Sequence, residues 1–172
     1  MKTIGRIIVL TLMSGIALTT YGKESGKMTD MKNPGVRDEK LQLTEKWDKI
    51  FPKSEKVDHC KVVFHNRFGI TLAADLYKPK NASGRLPAIA VSGPFGAVKE
   101  QSSGLYAQQL AERGFLTIAF DPSFTGESGG TPRYVASPDI NTEDFQAAVD
   151  YLSNRPDVDP ERIGILGICG WG

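Results

Sequence analysis

The sequence predicts an α/β fold in which an N-terminal antiparallel β-hairpin is followed by a βαβαβ parallel sheet. Two alternating strand patterns come first, at residues 57–64 and 69–77. Three apolar runs then alternate with two helical patterns. Such alternation is typical of a parallel sheet with right-handed crossovers. The chain has 172 residues, which suits one domain or part of one.

The first 22 residues have the layout of a secretory signal peptide. Lys2 and Arg6 precede the mostly apolar stretch IIVLTLMSGIAL, and small and polar residues follow it. This stretch is shorter than the roughly 18 apolar residues that usually span a bilayer. We therefore expect residues 1–22 to be cleaved and the protein to be exported, periplasmic or secreted, without stable membrane insertion. A membrane anchor is the alternative.

Charge and cysteine content narrow the possible partners. Loss of Lys2 and Arg6 would lower the basic count from 21 to 19 against 20 acidic residues, a net charge of −1. A near-neutral chain lacks the basic surface of a nucleic-acid-binding protein. We expect no nucleic-acid partner, no cofactor and no metal. Cys60 and Cys169 fall on different predicted strands, so we interpret both as free thiols, although export would permit a disulfide.

Residues 23–54 are assigned to a linker and a short amphipathic helix. Residues 23–37 are polar and contain Gly and Pro. In residues 38–51, Leu43, Trp47 and Ile50 have the i, i+4, i+7 spacing of a helical stripe. The main domain is then assigned to residues 55–172.

The hairpin and the parallel strands follow in order. Cys60, Val62 and Phe64 alternate with more polar neighbours, and Gly69 closes the loop before the second strand, so one face of the hairpin is expected to be buried. The three later apolar runs are expected to be buried strands; they are LPAIAVS, FLTIAFD and RIGILGIC.

Two helices should connect these strands. The first is predicted over SSGLYAQQLAERG, with Ser102 or Ser103 as its N-cap and Gly114 at its end. The second is predicted over NTEDFQAAVDYLSNR, with Asn141 as its N-cap. The segment between residues 122 and 139 is rich in Pro and Gly and is predicted to be a loop.

The end of the third parallel strand suggests catalytic chemistry. Gly167 and Gly170 flank Cys169, which indicates a tight turn that would expose the sulfur and aim the Gly170 N–H at its target. The N–H of Phe95 or Gly96, in the loop after the first parallel strand, would complete an oxyanion hole. The alternatives are a plain loop there and a Cys169 that is a small buried hydrophobic residue.

Other titratable residues have simpler interpretations. His59 and His65 flank the first strand, ahead of Cys169 in the chain, and are expected to face solvent outside any triad. Asp121 ends the second parallel strand and precedes a proline, so a turn-stabilising role is expected.

Four motifs, FDPSFTGESGG, AAVDYLSNRP, DPERIG and LGICGWG, resemble the α/β-hydrolase superfamily, particularly its dienelactone-hydrolase-like and Xaa-Pro-peptidase-like branches. The resemblance covers residues 55–172. It implies that Cys169 is the nucleophile where most relatives use serine, with Gly170 and Phe95–Gly96 as oxyanion donors. It also implies hydrolysis of an ester, lactone, thioester or amide of a small-molecule substrate through an acyl-enzyme. Trp171 stands where a small residue is usual, and either fills the pocket wall or shifts the turn.

The chain order raises a question about activity. In this superfamily the acid and the histidine follow the elbow, whereas only Gly170, Trp171 and Gly172 follow Cys169. We therefore expect an incomplete α/β-hydrolase fold, inactive as it stands, in which RIGILGIC has an open edge. A non-catalytic remnant of a hydrolase gene is the alternative. Nucleotide binding is a weaker one, because no G-x-G-x-x-G opens a helix. The sequence leaves the oligomeric state open.

Overall fold

The computed structural model describes residues 39–171, which form a five-stranded sheet with a helix on each face. The elements are β1 (Val57–His65), β2 (Thr71–Pro79), β3 (Leu86–Ser92), α1 (Ser102–Ala111), β4 (Leu116–Phe120), α2 (Pro138–Ser153), β5 (Val158–Gly167) and a 3₁₀ turn (Cys169–Trp171). The predicted signal peptide and the linker at residues 23–37 lie outside the described residues. Within residues 39–171, no helix has both the length and the apolar character needed to cross a membrane.

The order of the strands is β1-β2-β4-β3-β5. β1 and β2 are antiparallel and β2 is antiparallel to β4, whereas β3 is parallel to both β4 and β5. An antiparallel hairpin thus continues into a βαβαβ parallel sheet, which confirms the predicted fold class.

The hairpin is more deeply covered than its alternation predicts. Phe64 in β1 pairs with Leu72 in β2, and Gly69 closes the connecting loop with a φ of 76°. Every residue of β2 from Thr71 to Tyr77 is buried, because β2 lies between β1 and β4 and has packed layers on both faces. Cys60 in the edge strand β1 is exposed, so its predicted place on a buried face is wrong.

The two parallel strands β3 and β4 form the centre of the core. Ile118 and Phe120 of β4 pack on the layer that contains α2, whereas Ala119 packs on the layer that contains α1. Residues of β4 thus alternate between two apolar layers, which explains why its sequence is continuously apolar.

Both predicted helices form, but neither begins with the predicted cap. α1 follows Gln101, and no side chain caps its first turn. α2 begins at Pro138, three residues before Asn141, because proline suits the first helical position. The Asn141 side chain instead accepts a hydrogen bond from the Ser137 N–H at 3.0 Å.

The helix predicted over residues 38–51 is wrong for the part that the structure describes, since residues 39–51 contain no helix. The Trp47 indole donates to the Phe51 carbonyl at 2.8 Å, and the buried Lys49 ammonium lies 3.0 Å from Asp75 in β2. Ile50, which should share the apolar stripe, is 75% exposed. Contacts with the sheet therefore outweigh the local helical pattern.

β5 lies at the sheet edge beside β3. Only Val158 in β5 is buried, and Ile165 is 62% exposed. The prediction of a third buried strand is wrong for the described residues, because a strand at the edge has a neighbour on one side only. Among the described residues, no strand pairs with the outer side of β5, in agreement with the open edge expected for this part of the chain.

Candidate active site

Cys169 lies in the sharp turn that follows β5. Its φ is 62°, in the left-handed region that residues with a Cβ atom seldom adopt. Such a conformation costs roughly 1–2 kcal/mol, so the surrounding structure must impose it. The Ile168 N–H donates to the Ser92 carbonyl at 3.2 Å, which extends the pairing of β5 with β3 to the residue before Cys169. The side chain is exposed, so its interpretation as a buried hydrophobic residue is wrong.

Gly170 and Phe95 bring the turn and the loop after β3 into contact. A Cβ atom on Gly170 would overlap the Phe95 ring, so only glycine fits beneath that ring. The Phe95 ring also packs against Trp171, with 4.8 Å between the ring centroids. The loop between β3 and α1 therefore touches the turn that carries Cys169, a contact that the predicted oxyanion site requires.

Two of the predicted oxyanion donors, Phe95 and Gly96, have backbone N–H groups that the described part of the fold does not use. Gly96 has a φ of 78°, in a turn that the Ala97 N–H closes by donating to the Pro94 carbonyl at 2.9 Å. Within residues 39–171, the N–H groups of Phe95 and Gly96 make no hydrogen bond to the protein. Preorganised N–H groups of this kind can stabilise an oxyanion. The assignment of these residues as donors stays a prediction.

Trp171 forms part of a cavity wall beside the turn. Its ring centroid lies 5.9 Å from that of Phe145 in α2, in addition to the contact with Phe95. The indole N–H is buried and has no acceptor among the described residues. The bulky side chain thus fills the pocket wall, while the turn keeps its left-handed Cys169.

This cavity has a volume of about 280 Å³. Its walls come from the Phe95–Gly96 loop, from the loop between β4 and α2, from Asn141 in α2 and from Trp171. Cys169 itself does not line the cavity. The cavity therefore adjoins the predicted site on the side of the oxyanion loop.

Both histidines are far from Cys169, as expected. They belong to β1, and β1 and β5 are the two opposite edges of the sheet. Four strand spacings separate these edges, roughly 19 Å. His65 faces solvent, but His59 does not: its Nε2 lies 2.7 Å from Asp75 Oδ1 and Trp47 packs against its ring. The predicted exposure of His59 is therefore wrong.

A buried ion pair that sequence reasoning missed anchors the loop of Phe95. Lys99 Nζ lies 2.8 Å from Asp121 Oδ2, and the Lys99 backbone N–H donates to Asp121 Oδ1 at 2.7 Å. Asp121 also accepts the Glu127 N–H at 2.9 Å, so it stabilises its turn as expected. No sequence signal marks Lys99, because a lysine that precedes a surface helix is ordinarily solvated.

The Lys99 ammonium and the carboxylates around it shift one another's pKa values. Burial disfavours the Lys99 ammonium, but the carboxylates of Asp121, Glu100 and Glu127 outweigh burial and raise the pKa of Lys99. Burial also acts to raise the pKa of Glu127, yet hydrogen bonds from Lys61 and Lys99 lower it to about 2. Lys99 and Glu127 are therefore charged at neutral pH, whereas burial raises the pKa of Asp121 against the opposing effect of Lys99.

Asp48, Glu100 and Glu127 place carboxylate oxygens within 4.8 Å of one another, the spacing of a cation site. The Lys61 ammonium lies 2.6 Å from Glu127 and 3.5 Å from each of the other two. The Lys61 ammonium thus supplies the positive charge that a metal ion would otherwise bring to these three carboxylates. We therefore interpret the group as an ion-pair network.

Comparison with known proteins gives one family match. The family model of X-Pro dipeptidyl-peptidase (S15 family) matches residues 69–170. The chain is 63% identical, over 169 residues, to an uncharacterised protein of Pseudomonas aeruginosa, covering 98% of the chain and 44% of that protein. A crystal structure of a hypothetical protein from the same species has a TM-score of 0.76 and 72% identity, covering 78% of the chain and 42% of that structure.

Two fungal proteins are more distant. A thiohydrolase of Aspergillus aculeatus is 35% identical over 119 residues, covering 69% of the chain and 36% of that protein. The crystal structure of an α/β hydrolase from a Penicillium species has a TM-score of 0.62 and 28% identity, covering 66% of the chain and 38% of that structure. The chain thus spans less than half of the length of the curated relatives that it matches.

Proposed function

Because the chain belongs to the X-Pro dipeptidyl-peptidase (S15) family of α/β hydrolases, we propose that it supplies the nucleophile of a hydrolase. The substrate is an ester, lactone, thioester or amide, cleaved through an acyl-enzyme on Cys169. One observation carries the proposal: Cys169 is exposed and strained, with a φ of 62°, at the carboxyl end of a parallel strand. Strain of this kind at a strand-to-helix turn is the geometry of a nucleophile elbow.

The mechanism has two steps. The Cys169 thiolate attacks the substrate carbonyl, and the N–H groups of Gly170 and of Phe95 or Gly96 stabilise the resulting oxyanion. The oxyanion then collapses, the alkoxide, thiolate or amine leaves with a proton, and an acyl thioester remains on Cys169. Water attacks this thioester and releases the carboxylic acid and the free thiol.

The first step needs a base. A free thiol has a pKa near 8.5, so a neighbouring group must take its proton at neutral pH. No histidine among residues 39–171 is near Cys169. In α/β hydrolases the acid and the histidine follow the elbow in the chain. Whether residues 1–172 turn over substrate without such partners is therefore a question for experiment.

Thioesters are the first substrate class to test. The Aspergillus relative is named a thiohydrolase, and other fungal relatives are named an acyltransferase and a polyketide transferase. One name specifies hydrolysis and the other two specify transfer of an acyl or polyketide group, and a thiol nucleophile exchanges readily with a thioester. Esters and amides then serve as slower comparison substrates.

Export completes the proposal. The apolar segment in residues 1–22, behind Lys2 and Arg6, supports secretion to the periplasm or beyond. N-terminal sequencing of the protein recovered outside the cytoplasm tests this. A mature chain that begins after about residue 22 is expected, and a chain that retains Met1 in the cytoplasm would contradict export.

Hydrolysis of S-phenyl thioacetate and p-nitrophenyl acetate by the intact protein tests the function. Cys60 provides a matched control, since it is the second exposed free thiol. Since residues 1–172 are expected to turn over little or no substrate without a triad acid and histidine, any hydrolysis that occurs should be lost in Cys169→Ala and unchanged in Cys60→Ala. Equal activity in all three proteins would overturn the role of Cys169. Absence of hydrolysis together with absence of an acyl group on Cys169 would favour the non-catalytic remnant.

A further inference from the structure

The cavity beside the elbow points to the kind of substrate. We propose that it binds an uncharged, apolar group next to the scissile bond, up to the size of a phenyl ring with a short side chain. The inference rests on the proposed function, because it names the substrate class of the same site.

The lining of the cavity is neutral throughout the described residues. Its surfaces are the aromatic rings of Phe95, Tyr134 and Trp171 together with aliphatic groups such as Val135 and Ala97. No charged side chain of residues 39–171 lines the cavity to pair with a carboxylate, phosphate or ammonium, and the free N–H groups of Phe95 and Gly96 are assigned to the reacting carbonyl oxygen, so burial of a charged group there is unfavourable. The lining therefore selects neutral groups.

Asn141, the polar residue with the most donors and acceptors at the cavity, is oriented by two hydrogen bonds to the protein. The Asn141 oxygen accepts the Ser137 N–H at 3.0 Å, and its amide nitrogen donates to Asp144 at 3.1 Å. Each end of the amide is therefore held by the protein, and Asn141, which is 1% exposed, keeps one N–H and one oxygen lone pair, both uncharged. Among the described residues, the hydroxyls of Thr125 and Tyr134 also line the cavity and make no hydrogen bond to the protein, so they can bind a polar atom of the ligand but supply no charge.

Volume limits the size of the group. A cavity of about 150 Å³ lined by apolar side chains binds benzene, and this cavity has about 280 Å³. A phenyl ring with two or three further carbons fits that space, whereas a long chain or a fused polycyclic system would extend beyond it.

Exposed apolar side chains gather at the mouth of the cavity. Tyr134 is 87% exposed and Val135 is 37% exposed, and Phe95 is also exposed. The Tyr134 N–H donates to the Phe124 carbonyl at 2.9 Å, which fixes the loop although its side chain faces solvent. A group of exposed apolar side chains at one cavity is typical of a ligand site.

Binding of unreactive amides tests the inference without catalysis. Phenylacetamide is titrated into the intact protein by calorimetry, and 4-carboxyphenylacetamide serves as a charged probe of the same shape. Val135→Asp places a carboxylate at the cavity, and Val63→Asp is its control, because Val63 is 44% exposed on β1, outside the cavity. We expect the neutral probe to bind at least about tenfold more tightly than the charged one.

Val135→Asp should weaken binding of phenylacetamide about tenfold or more, whereas Val63→Asp should change it less than twofold. Equal binding of the two probes, or no effect of Val135→Asp, would overturn the inference. The outcome is independent of turnover. If phenylacetamide binds as expected and Cys169 forms no acyl-enzyme, the proposed function fails and the neutral apolar site stands. If Cys169 forms an acyl-enzyme and phenylacetamide does not bind, the site is rejected and the proposed function stands.

Discussion

Lys99 Nζ lies 2.8 Å from the Asp121 carboxylate, and both side chains are fully buried. Lys99 is part of the loop that carries Phe95 and Gly96, and Asp121 directly follows β4. The pair therefore joins two loops that both line the cavity. A Cβ atom on Gly126 would overlap the Asp121 carboxylate, so the second loop also closes tightly around this pair.

Lys99→Met should destabilise the fold strongly, because it leaves the Asp121 carboxylate buried without its cation. Removal of one partner of a buried ion pair typically costs about 3–5 kcal/mol. The free energy of unfolding in urea measures the effect. Lys46→Met is the control, since Lys46 is exposed and makes no ion pair within the described residues; its effect should stay within about 0.5 kcal/mol. Equal stability of the two variants would contradict a structural role of the pair.

Acid should destabilise the protein through Glu127. Its pKa falls from 4.5 to about 2 in the folded state, so its contribution is complete above pH 4.5 and is lost as pH falls toward 2. The midpoint of urea unfolding should therefore decrease over this range. Glu127→Gln should flatten that decrease, whereas Glu55→Gln, an exposed residue outside the network, should not. Parallel pH profiles for the two variants would reject this assignment.

Gly170→Ala should slow acylation about tenfold or more, because its Cβ would displace the Phe95 ring that covers it. Gly164→Ala is the matched control, since a Cβ at Gly164 meets no atom within 4 Å. Acylation rates are measured by stopped-flow release of p-nitrophenol. Replacing Phe95 by Ala in the Gly170→Ala protein should restore part of the rate. Equal rates for the two single variants would show that Gly170 is not constrained by Phe95.

Residues 23–172 expressed alone should self-associate, because the apolar edge strand β5 leaves Ile165 62% exposed. Ile165→Lys should reduce this association in sedimentation velocity. Tyr106→Lys is the control, because Tyr106 is 49% exposed on helix α1 rather than on a strand edge. A monodisperse wild-type monomer that unfolds in one sharp transition would contradict the prediction.

The parts of the fold that depend on periodicity and on glycine were predictable from the sequence. The strands and both connecting helices form where their patterns indicate, and the glycines around Cys169 predicted its sharp turn. Features that depend on tertiary contacts were not predictable. Trp47 belongs to a helical apolar pattern, yet residues 39–51 around it form no helix, and Lys49 forms an ion pair with Asp75 in the sheet. Lys99 was missed because burial of a lysine depends on carboxylates that come from distant parts of the chain.

The most direct test of the central claim is mass spectrometry of the acyl-enzyme. The intact protein is incubated with S-phenyl thioacetate, quenched in acid and digested, and the peptides that contain Cys60 and Cys169 are compared. The account predicts one acetyl group on Cys169, retained in Cys60→Ala and absent in Cys169→Ala. Acetylation of Cys60 alone, or none on either cysteine, would contradict the assignment of Cys169 as the nucleophile.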